Sequence, residues 1–217
     1  SLSQTLAPWT YQKLKERKED DLNRIMVSSC IIIAIMNLLL ILLAPEIISF
    51  FAPKEYSQAV YVIPPVVMSV FFMYLYDWFV RIEYYFEKTH YVLIASISGA
   101  VINIVLNFLL LPSFGYLVAG YTTLISFAVY AILHYYFMRK ICRQKMNGKH
   151  IYNEKHLLLI IVIFLAIGIG LSFLYSYWYI RYIILSIIII IALIKKNTIL
   201  IFIKELLNLK NKKEVIQ

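Results

Sequence analysis

Six stretches of this chain are apolar over the length of a bilayer: residues 25–44, 60–80, 91–111, 116–137, 157–175 and 177–194. About 20 consecutive apolar residues cross the hydrocarbon core as a helix. Inside that core each backbone N–H and C=O must find its partner within the segment, so a chain built from such runs folds as helices. The sequence therefore predicts an all-α, polytopic membrane helix bundle of six transmembrane helices. Composition agrees, with 62% of the 217 residues hydrophobic and 15% charged, against about a quarter charged in a soluble domain.

The cations fix the expected orientation. Residues 1–24 carry five Lys/Arg, the connection after the second run carries Arg81 and Lys88, residues 138–156 carry six, and the stretch from Lys195 carries six more. The opposite faces carry only Lys54 and Arg181. Nineteen against two, alternating over six spans, places both termini in the cytoplasm by the positive-inside rule. The net charge of +9 is then a matter of topology and of attraction to anionic lipid heads. It calls for no nucleic acid.

This divides the chain into a cytoplasmic connection (1–24), four transmembrane helices (25–138), a basic cytoplasmic loop (139–156), a further helix pair (157–194) and a cytoplasmic tail (195–217). In the tail, residues 197–209 set Ile199, Phe202, Ile203, Leu206 and Leu207 along one stripe, the pattern of a short helix lying on the leaflet. Arg181 sits near the start of the sixth run, which crosses if a tight hairpin forms through Ser176. Pro64 and Pro65 interrupt the second run near its start, and the third breaks at Pro112. Gly115 and Gly120 then turn the chain back.

Polar groups inside a membrane are costly and so mark candidate sites. Asn103 and Asn107 stand at i and i+4, on one helix face. They are either interhelical hydrogen-bonding groups or the lining of a cavity. Asp77 and Arg81 repeat the spacing and can neutralise each other on one face, again as a structural pair or as a cavity or ion-coupling site. Glu83 and Glu87 follow them. Asn37 reads as a packing amide, and Glu46, after Pro45, as a wetted outer group. His90, His134, His150 and His156 fall at helix ends or in loops, at spacings that suit neither a metal site nor a nucleophile's base. Cys30, in the first run, and Cys142, in the basic loop, imply no disulfide framework or metal site. No Gly-rich phosphate loop, loop-borne carboxylate pair or short His–Asp spacing points to catalysis or to a cofactor.

Two stretches carry a family resemblance. In "LAPWTYQKLKERKEDDLNRI" (6–25), Pro8, Trp9, Tyr11, Lys13 and Lys15 resemble the connection between helices eight and nine of the oligosaccharide lipid flippases, relatives of the multidrug and toxin extrusion transporters. In 99–124, Asn103, Asn107, Pro112, Gly115, Ala119, Gly120 and Thr123 follow the order, in that family, of an Asn-x-x-x-Asn helix, a Pro- and Gly-containing turn and a small-residue helix ending in Thr, and "EKTHYVLIAS" (87–96) resembles the start of that first helix. Leu117, Val118 and Tyr121 depart from it, standing where small residues are common.

The resemblance implies part of the C-terminal lobe of a two-lobed transporter in the bacterial inner membrane. Such proteins move undecaprenyl-diphosphate-linked oligosaccharide by alternating access, without covalent chemistry. The first four spans would match helices nine to twelve, and the last two an additional pair that borders a lipid-binding groove in the lipid II flippases. Since the sequence opens on Ser1 in a polar stretch, it reads as the C-terminal part of something longer, whose missing N-terminal lobe or a companion chain would complete the pathway. Expected partners are membrane lipids and the lipid-linked oligosaccharide. Two other readings stay open: a polymerase-like membrane enzyme of envelope polysaccharide synthesis, and a six-span accessory protein.

Overall fold

The computed structural model describes residues 2–196; the expected surface helix at 197–209 lies outside them. Among the described residues the chain is helical throughout. Helix α1 (Leu2–Lys15) leads into α2 (Glu19–Leu42) and the short α3 (Ala44–Phe51). A 3-10 segment (Lys54–Val62) enters α4 (Ile63–Tyr85). Then come α5 (Thr89–Phe114), α6 (Val118–Lys145), α7 (Glu154–Ser172) and α8 (Trp178–Ile194). Five of these helices are long and apolar enough to cross a membrane, the one through α4 counted with its 3-10 entry. Helix α8, with 17 residues, sits at the short end of the range of about 17–25.

Local chemistry sets the boundaries. Helix α2 opens with Glu19, Asp20 and Asp21 in its first turn, where negative charge meets the positive end of the helix dipole. At the start of α7 the Asn153 side chain accepts from the His156 N–H at 3.2 Å, while the Asn153 N–H donates to Asn23 Oδ1 at 2.8 Å. That second bond ties the basic loop to α2.

Both prolines of the second run mark a beginning rather than an interruption. Pro64 and Pro65 occupy the first turn of α4, where a missing N–H costs nothing and the fixed φ suits the helix. Pro112 does not break α5, which continues to Phe114. So near the C-terminus only one backbone bond is lost. The turn is made by Gly115 at φ 72°, whose N–H donates to the Leu111 carbonyl at 2.9 Å.

Gly120 has a different part from the one expected. It lies inside α6, and a Cβ there would stand 2.9 Å from Pro65 Cγ and 3.1 Å from the Val62 carbonyl oxygen. The missing side chain lets α6 close on the start of α4. Helix α6 also runs on to Lys145, so Arg139, Lys140 and Arg143 ride on a helix and Cys142 is buried in it rather than in a loop.

Helix α4 forms the centre. Its Phe71, Leu75, Trp78, Phe79 and Ile82 pack among Leu22, Ile25 and Met26 of α2, Met138 and Ile141 of α6, and Phe164 of α7. The Phe71 and Phe164 rings stand 4.4 Å apart. Helix α5, by contrast, buries only Ala95 and Gly99 and leans on α6. Its remaining face carries exposed Leu93, Ile97, Val101, Ile104 and Phe108, the apolar surface a bilayer or another membrane helix accepts.

Candidate functional site

Three polar constellations interrupt the apolar interior, each on a different seam. The first is on α4. Asp77 and Arg81, one turn apart, form an ion pair. The Arg81 guanidinium is buried, lies over the Trp78 ring at 4.4 Å and reaches Thr10 Oγ1 of α1 at 3.5 Å. Thr10 is itself buried, with its hydroxyl on the Leu6 carbonyl at 2.8 Å. The i,i+4 pairing expected from sequence is present, and α1 covers it.

The second joins α5 to α6. Asn107 Nδ2 donates to Asn103 Oδ1 at 3.0 Å, Asn103 Nδ2 to Ser126 Oγ at 3.3 Å, and Thr122 Oγ1 to Asn107 Oδ1 at 2.7 Å. The hydroxyls also meet their own helix, Ser126 donating to the Thr122 carbonyl at 2.7 Å and Thr122 sharing its one proton between Asn107 Oδ1 and the Ala119 carbonyl at 2.9 Å. Amides withdrawn from water are costly unless bonded, and this ladder bonds both of these half-buried ones. Beside it runs an open groove of about 400 Å³ lined by Ser96, Gly99, Asn103, Thr123, Ser126 and Tyr130. The Ser96 and Tyr130 hydroxyls meet across it at 2.9 Å. Asn103 thus takes part in both the ladder and the groove wall.

The third escaped the sequence reading. Glu83 of α4 and His134 of α6, fifty-one positions apart, meet at 2.7 Å between Oε1 and Nδ1, both side chains fully buried. A signal was present in the α6 pattern: Ala131, His134, Met138, Ile141 and Cys142 form one stripe, all buried. That spacing puts His134 on the core face rather than at a wetted helix end.

On the other flank of α6 lies a second groove of about 280 Å³, bounded by Phe72, Leu75 and Phe79 of α4, Ala128 and Ile132 of α6, and Leu157 and Ile161 of α7. It is almost wholly apolar. Helix α6 therefore divides a mixed groove, which carries hydroxyls and one amide among apolar groups, from an almost wholly apolar one. Among the described residues, no group of three or more His, Cys, Asp or Glu could hold a metal ion.

These features define a polytopic membrane helix bundle with polar seams and two open grooves beside α6. The MatE family model matches residues 12–109, from the second half of α1 into α5. The match takes in Asp77, Arg81, Asn103 and Asn107 and suggests a membrane exporter or transporter; MatE proteins are transporters, not enzymes. No curated protein and no solved structure matches the chain.

Proposed function

We propose that the chain is part of a flippase that carries undecaprenyl-diphosphate-linked oligosaccharide repeat units across the bacterial inner membrane by alternating access, for surface polysaccharide synthesis. The observation that carries this reading is the placement of α6 between a groove that carries polar groups and one that carries almost none. A lipid-linked sugar has a polar head and a long apolar tail, and needs both surfaces within one width of a helix. The α5–α6 groove offers hydroxyls and the Asn103 amide; the α4–α6–α7 groove offers aliphatic and aromatic surface. Asp77, Arg81, Asn103 and Asn107 serve as cavity lining or lobe packing. Alternating access needs a second lobe, so the partner is an N-terminal lobe or a companion chain.

Proteoliposomes holding the complete protein, with a labelled undecaprenyl-diphosphate oligosaccharide, test this. The label moves between leaflets, and Ala128→Trp, which fills the apolar groove, slows the movement at least tenfold without lowering the protein level. Repeat-unit polymerisation in place of movement favours the enzyme reading. Movement that ignores Ala128→Trp removes the groove from the mechanism.

A further inference from the structure

We propose that Glu83 and His134 form a proton-binding site within the α4–α6 seam, and that its charge decides whether the seam stays closed. This goes beyond the choice of cargo. The two side chains meet at 2.7 Å and are fully buried. The imidazole lies between the Tyr76 ring, stacked with centroids 5.4 Å apart, and the Tyr130 ring, edge-on at 4.4 Å. Glu83 Oε2 and His134 Nε2, also buried, meet no hydrogen-bond partner among the described residues. Other buried atoms such as Asn37 Nδ2 and Trp78 Nε1 are likewise unbonded; what sets this pair apart is that both members bind protons, with an acceptor and a ring nitrogen in reserve.

The proton count explains what the reserve does. With one proton between them the pair is neutral overall, the form a low-dielectric seam tolerates. A second proton gives a carboxylic acid beside an imidazolium, a buried net charge; losing the first gives a bare carboxylate beside a neutral ring. Either change costs several kcal/mol unless water reaches the site, so each favours an open seam. The route lies through Tyr130, whose ring covers His134 and whose hydroxyl lines the α5–α6 groove. The other titratable groups facing the pair are Tyr76 on α4, Tyr130 on α6 and His90 at the start of α5, with Asp77 and Tyr84 acting on Tyr76.

The test reads protons and water directly, without transport. Full-length protein in lipid nanodiscs is titrated between about pH 5 and 8 and followed by infrared difference spectroscopy. The expected carboxylic-acid C=O band is lost in Glu83→Gln, and its midpoint moves about tenfold in proton concentration in His134→Gln. In parallel, Thr123→Cys in the groove wall, its rate with a water-soluble maleimide divided by that of free cysteine at the same pH to remove the thiolate's own pH dependence, is more reactive at one end of that range, and Glu83→Gln removes the difference. A difference spectrum identical in wild type and Glu83→Gln overturns the proposal, as does labelling that ignores pH. Should Glu83→Gln fail to fold, a band unmoved in His134→Gln overturns it alone. A chain that titrates but moves no lipid-linked sugar overturns the flippase reading and leaves the site standing.

Discussion

Arg181 Nη1, in the first turn of α8, donates both to the Leu42 carbonyl at 3.0 Å and to Glu46 Oε2 at 2.7 Å. The charge that most compromises the last apolar run is thereby used to hold that run in place. The final carbonyls of α2 have no partner within their own helix, and a cation there also meets the negative end of the dipole. Tyr175, in the α7–α8 turn, donates its hydroxyl to the neighbouring Ile41 carbonyl at 3.0 Å.

Removing this clamp should loosen the last hairpin. Arg181→Gln is expected to lower stability by about 2 kcal/mol, the scale of a hydrogen bond to a charged group, measured by thermal unfolding in nanodiscs. Burial pushes the Glu46 carboxyl up, but the Arg181 hydrogen bond, its own backbone and the Arg181 charge outweigh that and hold it below the usual range. A carboxyl lowered on folding stabilises above its unfolded value and loses that contribution as pH falls through the folded one. The wild type should therefore lose stability at acid pH, below about 4.3. Arg181→Gln should flatten that dependence, and an unchanged acid slope would remove the ion pair from the account.

Two glycines of similar appearance should respond differently to alanine. At Gly120 the new methyl would sit 2.9 Å from Pro65 Cγ and 3.1 Å from the Val62 carbonyl oxygen, the latter fixed backbone. At Gly99 the nearest atom is Tyr130 Cδ2 at 3.5 Å, an ordinary contact. Gly120→Ala is expected to cost about 1–3 kcal/mol through overpacking, and Gly99→Ala well under 1 kcal/mol. Denaturation of both variants in the same lipid checks the order.

That contrast shows what was legible in the sequence. The helix runs, the i,i+4 pairs and the short turn at Gly115 depend on local spacing, and the structure keeps them. The partner of Gly120 depends on how α6 approaches α4, which spacing within one helix does not state. Likewise Asp77–Arg81 could be found from one face of one helix, whereas Glu83–His134 and Glu46–Arg181 join residues far apart in the chain. Glu46 looked wetted because its own neighbourhood, after Pro45 at a helix end, is that of an exposed group. It does stay a third exposed; what its neighbourhood does not state is the ion pair with Arg181, which α8 supplies.

At the α1–α4 seam, Arg81→Lys keeps the charge but loses the planar fork. The guanidinium reaches Asp77 and Thr10 while lying over the Trp78 ring, and an ammonium cannot span all three. The expected cost is about 2 kcal/mol, seen as a lower unfolding temperature and as faster proteolysis of α1. Thr10→Val, which removes the farther contact together with the hydroxyl's bond to the Leu6 carbonyl but leaves the Asp77 ion pair and the Trp78 contact, should cost less. Equal losses in the two variants would mean that the seam responds to volume and not to hydrogen-bond geometry.

The asparagine ladder separates packing from transport because only one of its amides faces the groove. Asn107 bonds Asn103 and Thr122, whereas Asn103 bonds Asn107 and Ser126 and also lines the cavity. Asn107→Leu and Asn103→Leu should each lower stability by about 0.6–2 kcal/mol, the scale of an interhelical bond in a membrane. The double variant should cost less than the sum, since the two singles share one bond. Transport, measured in the complete protein at matched membrane levels, should fall further in Asn103→Leu than in Asn107→Leu. Ser96→Ala, which touches the groove but not the ladder, should reduce transport with little change in stability. If transport instead follows stability alone across all three positions, the amides hold α5 to α6 and the groove wall makes no contact with cargo.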